Sequence, residues 1–186
     1  MNKLVKHVEK ISLWAAWVSG TIVLLTAVMI AIEVVLRKVF VVSMGGADEI
    51  STYALAICCS WSFGFALFRK AHIRIDLLYY RFPPAIRHSL DIVSLLFFAI
   101  YTLLLSYFGF IVFHTSWIRE SVANTPLSTP LWIPQGIWLL GIWGFTLSVL
   151  LILAGTIYNL VHKDFARARA LSGAAIGEKN TEEKEK

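Results

Sequence analysis

From Ile50 to Phe68 the chain runs 19 residues without a charge, bracketed by Asp48 and Glu49 before it and by Arg69, Lys70 and Arg74 after it. As a helix rising about 1.5 Å per residue, such a run covers a hydrocarbon core of about 30 Å. Three further stretches repeat the pattern. Ile11–Ile32 has no charge in 22 residues, and 92–114 and 135–161 are equally free of charge. Hydrophobic residues make up 58% of the 186 and charged residues 16%, against roughly 45–50% and about 25% in a soluble domain. The fold class that follows is an all-α integral membrane protein with four transmembrane helices, at about 11–36, 50–68, 92–114 and 135–161. The first run exceeds the roughly 7–15 apolar residues of a cleaved signal peptide, so it reads as an uncleaved span.

The segments between the spans carry the charge. Residues 2–11 place Leu4, Val8 and Ile11 on one helical face and Lys3, Lys6 and Lys10 elsewhere, which predicts a short interfacial helix leading into the membrane. A second is predicted over 73–82, where Ile73, Leu77 and Tyr80 share a face before Pro83 and Pro84 stop it. Residues 1–165 then form one membrane domain, and 166–186, ending in EKNTEEKEK, form a disordered polar tail. Residues 115–133, with Pro126 and Pro130 among Asn, Ser and Thr and Pro134 just beyond, read as an ordered, extended connector. Of the 17 lysines and arginines, 14 fall in the amino terminus, the central loop and the tail; only Arg37, Lys38 and Arg119 fall on the other side. That bias predicts that both termini are cytoplasmic. The net charge of +5 is thus a matter of membrane orientation, and no soluble face is available to bind nucleic acid.

Few residues suggest chemistry. Cys58 and Cys59 are adjacent within an apolar run and read as inert buried thiols, against a membrane thiol oxidoreductase. The five histidines offer no pair at matching depth for a heme, and no nucleophile–base cluster or phosphate loop is present. No catalytic, cofactor or metal residue is assigned. Glu33 and Arg37, four apart at the outer end of the first span, could serve an ion path but fit better as an interfacial ion pair. Thr52, Ala56, Ser60 and Gly64 recur every four residues beside Trp61 at mid-span, which predicts a close helix–helix contact. Spacing leaves open whether the neighbour belongs to this chain or to a partner. The last three spans hold no carboxylate, lysine or arginine in their interior, whereas a chain that transports alone usually carries ionisable groups or broken helices at mid-membrane.

On these residues the chain resembles the small membrane subunit of tripartite ATP-independent periplasmic (TRAP) transporters, the DctQ-like family. The features that carry it span roughly 11–162: Arg37 closing the first span, Gly45-Gly46 before Asp48-Glu49, Trp61, Gly64 and Ala66 within the second, His72-Ile73-Arg74-Ile75-Asp76 after it, and Ser128-Thr129-Pro130 to Trp132-Ile133-Pro134 before the last. Where Asp48 and Glu49 stand the family often has two glutamates. The resemblance implies a bacterial inner-membrane accessory subunit, without enzyme activity or cofactor. It would brace a large membrane subunit that takes up an organic acid with sodium ions from a periplasmic binding protein. It further implies that the separate chain contributes Thr52, Ala56, Ser60, Trp61 and Gly64 to the partner interface. Glu33, Arg37, Asp48, Glu49, His72, Arg74 and Asp76 would then be structural charges, with His72, Arg74 and Asp76 either pinning the surface helix or lying in a solvated loop. Membrane lipid is the remaining partner. The rival readings are a stand-alone small transporter, a membrane redox protein and an assembly factor for another membrane complex.

Overall fold

The computed structural model describes residues 2–69 and 84–161. The predicted surface helix over 73–82, with His72, Arg74 and Asp76, and the tail from 166 onward lie outside the described residues. Four long helices carry the rest. Helix α1 spans Asn2–Val35 and ends in a wider π-helical turn, Leu36–Phe40; α2 spans Ala47–Phe68, α3 Pro84–Ile118 and α4 Trp132–Val161. Each is long and apolar enough to cross a membrane. Residues 2–11 continue into the first span as one rod, because no glycine or proline interrupts the chain before Gly20.

The helix ends follow from local chemistry. The turn closing α1 stops at Val41, whose φ of 56° is left-handed and whose N–H returns to the Leu36 carbonyl. The chain reverses through Gly45, at φ 71°, where a residue with a side chain would be strained. Helix α2 then opens with Asp48 and Glu49 in its first turn, where the helix dipole favours negative charge. Pro84 opens α3, and Pro134 lies in the first turn of α4, both positions whose missing N–H would have had no intrahelical partner.

The helices pack in the order α1, α2, α4, α3, so α1 and α3 occupy the two edges. The amino-terminal end of α1, the carboxyl-terminal ends of α2 and α4 and the start of α3 share one end of the bundle. The connectors 41–46 and 119–131 share the other. Lipid is as apolar as a leucine side chain, so burial alone does not drive these helices together; close backbone approach and hydrogen bonds across helices do. The closest approach lies between α2 and α4. A Cβ on Gly141 would come within 2.4 Å of Trp61 Cδ1 and 2.9 Å of the Ser60 carbonyl carbon. Gly64 faces Ser12 of α1 and Ser148 of α4. Phe145 of α4 packs on Phe63 of α2 at 5.3 Å and edge-on to Phe98 of α3 at 5.6 Å between ring centres. Around it Leu67, Leu95, Ala99, Val149 and Ile152 complete the core. Hydroxyls add to the seam between α3 and α4: Ser106 and Thr146 lie 2.8 Å apart, and Thr146 donates to the Thr102 carbonyl at 3.2 Å.

Candidate functional site: two buried carboxylates at one end of the bundle

Two carboxylates are buried at the end of the bundle that carries the connectors. Glu33 and Glu49 expose only 3% and 6% of their surface. Each owes its place to a helix of the chain, and its partners to the next turn of that helix and to a connector.

Glu33 sits on the last α-helical turns of α1. Its Oε1 accepts from Arg37 Nη2 at 2.9 Å, one turn on, and from Ser43 Oγ at 2.7 Å, while Oε2 accepts the Met44 N–H at 2.8 Å. Ser43 Oγ in turn accepts the Gly45 N–H at 3.2 Å. The carboxylate thus fastens the reversing segment 41–46 onto the helix it has just left. The Arg37 side chain stays 58% exposed, a position that long cations near span ends favour because the charged head can reach water.

Glu49 sits in the first turn of α2. Tyr53, one turn later, donates its hydroxyl to Oε1 at 2.9 Å. The remaining donors come from 76 and 80 positions away: Thr125 through its hydroxyl to Oε2, and Thr129 through its hydroxyl and backbone N–H. The connector is shaped to bring them. It is ordered, but it folds back on itself instead of running extended. Ser128 adopts a left-handed φ of 47°, its N–H returns to the Thr125 carbonyl at 3.0 Å, and Val122 pairs with Pro130. The resulting loop places both threonines against Glu49. Leu127 covers Gly46, where a Cβ would come within 2.0 Å of its methyl, so the second glycine of the pair gives the loop room to settle.

The sequence-predicted residues divide clearly. Glu33 and Arg37 form the expected i,i+4 ion pair. Asp48 is exposed; its backbone carbonyl accepts from Ser51 and Thr52. The four small residues of α2 do not share one face. A four-residue step turns an α-helix about 40° past a full circle, so Thr52 and Gly64 end about 120° apart. Ser60 and Gly64 are buried, Ala56 is half-buried and Thr52 is exposed. Trp61 donates its indole N–H to the Ile137 carbonyl of α4 at 2.9 Å. Ser60, Trp61 and Gly64 therefore meet neighbours within this chain. The long-range partners of Glu49 were not found from sequence, although two threonines set four apart among prolines were the available signal.

A family model described as "Tripartite ATP-independent periplasmic transporters, DctQ component" matches residues 26–162, a range that holds both carboxylates, both connectors and all of α2 and α3. The chain belongs to the DctQ family. The DctQ match covers the Glu33–Arg37 pair, the double glycine and the threonine loop, which are the parts of the chain that the geometry ties together. With four membrane-length helices, the DctQ chain is a multi-pass membrane protein and a small component of a TRAP transporter. The family is one of transporter components and not of enzymes. Comparisons with curated proteins and with solved structures found no match.

Proposed function

We propose that this DctQ component braces a large membrane transport subunit, and that the pair imports an organic acid with sodium ions after a periplasmic protein delivers it. The observation that carries this reading is the engagement of the two buried carboxylates by donors from the chain's own helices and connectors. Groups that handle a moving solute must exchange partners, whereas Glu33 and Glu49 are spent on holding two loops still. The mid-span polar groups are engaged in the same way. Ser19 lies 3.5 Å from Ser62, and Thr102, Ser106 and Thr146 bond among themselves and to backbone. A rigid frame is what a subunit that only supports a moving neighbour requires.

The lysine and arginine bias supports an inner-membrane orientation with both termini cytoplasmic, and the carboxylate end then faces the periplasm. With Ser60 and Gly64 occupied internally, the contact with the large subunit falls to exposed surface. Thr52 and Leu55, beside an open groove of about 330 Å³ between the outer halves of α1 and α2, are its nearest part on α2.

Co-expression with the large subunit tests the reading. Mild-detergent purification should recover both together, and vesicles supplied with the substrate-loaded periplasmic protein should take up labelled dicarboxylate only when both are present. Thr52→Trp should weaken recovery of the large subunit. Uptake by vesicles containing this chain alone would remove the scaffold role.

A further inference from the structure

We infer that the groove between α1 and the end of α2 holds one acyl chain of an anionic phospholipid, with its phosphate against Arg69, Lys10 and Lys6. The groove is open and about 520 Å³ in volume, lined by Leu13, Ala16, Trp17, Gly20 and Leu24 of α1 and by Phe65 of α2. Thr21 also borders it, but its hydroxyl is spent on the Trp17 carbonyl at 2.9 Å. No free hydroxyl therefore awaits a polar solute, and apart from the indole of Trp17 the other lining side chains are apolar.

Depth identifies the occupant. From Leu13 to Leu24 is eleven residues, about 16 Å of helix, close to half of a 30 Å hydrocarbon core. The uncharged run of α1, Ile11–Ile32, has its centre near residues 21 and 22, so the groove begins at one edge of the core and ends at its middle. That is the reach of a single leaflet's chain. The floor is unfilled: at Gly20, apart from its chain neighbours and the backbone of its own helix, no atom lies within 4 Å of where a Cβ would stand.

Charge identifies the head group. Arg69 places its guanidinium carbon 5.5 Å from the centre of the Phe65 ring, directly at the groove's end. On the unbroken α1, the spacing Lys6, Lys10, Leu13, Trp17, Gly20, Leu24 alternates four and three, so both exposed lysines continue the stripe that lines the groove. Glu9 flanks them about 60° from Lys6, which leaves three cations against one carboxylate. Basic side chains where a cleft between membrane helices reaches the interface bind anionic head groups.

The test uses the full chain reconstituted in an equal mixture of phosphatidylglycerol and phosphatidylethanolamine, extracted in mild detergent, with retained lipid read by native mass spectrometry. The natural protein should retain phosphatidylglycerol in preference. Gly20→Leu fits the open space and should lower retention at least about tenfold, since losing the contacts of two methylenes suffices for that. Arg69→Gln should lower the preference for phosphatidylglycerol about fivefold, the effect of one basic contact with an anionic head group, and it reads the head-group site even if Gly20→Leu fails to fold. Equal retention of both lipids, or retention unmoved by either variant, overturns the site. Release of a bound polypeptide by Gly20→Leu with lipid retention unchanged would make the groove a protein interface and also overturn it.

Discussion

Two glycines three residues apart in α4 should respond to the same substitution with opposite sign. At Gly141 a Cβ would stand 2.4 Å from Trp61 Cδ1, 2.5 Å from Ser60 Oγ and 2.9 Å from the Ser60 carbonyl carbon. The indole cannot easily give way, because its N–H is bonded to the Ile137 carbonyl at 2.9 Å. The backbone of Ser60 can move only by parting α2 from α4. Forcing a methyl group into such a contact costs about 1–3 kcal/mol. At Gly144 the Cβ would meet nothing within 4 Å, and replacing glycine by alanine at an unstrained helical site gains about 0.4–1 kcal/mol, mainly by restricting the unfolded chain. Gly141→Ala and Gly144→Ala should therefore differ by about 1.5–4 kcal/mol. Unfolding in mixed micelles by titration with dodecyl sulfate, followed by circular dichroism, measures both against the natural chain. The midpoint should fall for Gly141→Ala and hold or rise for Gly144→Ala. Equal shifts in one direction would refute the claim that α2 and α4 touch at Gly141.

Two other perturbations address the connectors. Val41 is 88% exposed and left-handed, a conformation that costs an L-residue roughly 1–2 kcal/mol, so Val41→Gly should leave stability unchanged or raise it, where the same substitution inside α1 should lower it in the same titration. Glu49→Ala removes the acceptor shared by Tyr53, Thr125 and Thr129; amide exchange should speed up at Ala123 and Leu131, whose N–H groups close the 119–131 loop, and stay slow in the middle of α3.

The helices were legible in the sequence because lipid demands long uncharged runs, and charge outside them marks their ends. The Glu33–Arg37 pair was legible because four residues make one helical turn. The partners of Glu49 were not, since nothing local connects position 49 to positions 125 and 129; the link exists only once four helices set the two connectors side by side. The stripe at Thr52, Ala56, Ser60 and Gly64 foretold a close contact only in part: Ser60 and Gly64 meet neighbouring helices, while the 40° drift of a four-residue repeat turns Thr52 outward. Nor does the sequence around Gly141 and Gly144 say which glycine meets α2, because both lie in the same apolar surroundings and only the rotation of α4 decides.

The packing order places α4 between α2 and α3, although it follows both in the chain. During synthesis α1 and α2 enter the bilayer as neighbours, but α3 arrives before the helix it is to lie against. Until α4 follows, Ser106 lacks the Thr146 hydroxyl and the Thr102 carbonyl lacks its cross-helix donor. The nascent chain therefore passes through a stage with α3 waiting in lipid until α4 leaves the ribosome and packs beside it. A chain stopped before Trp132 would keep α1, α2 and α3 and lose the helix that ties α3 to the other two.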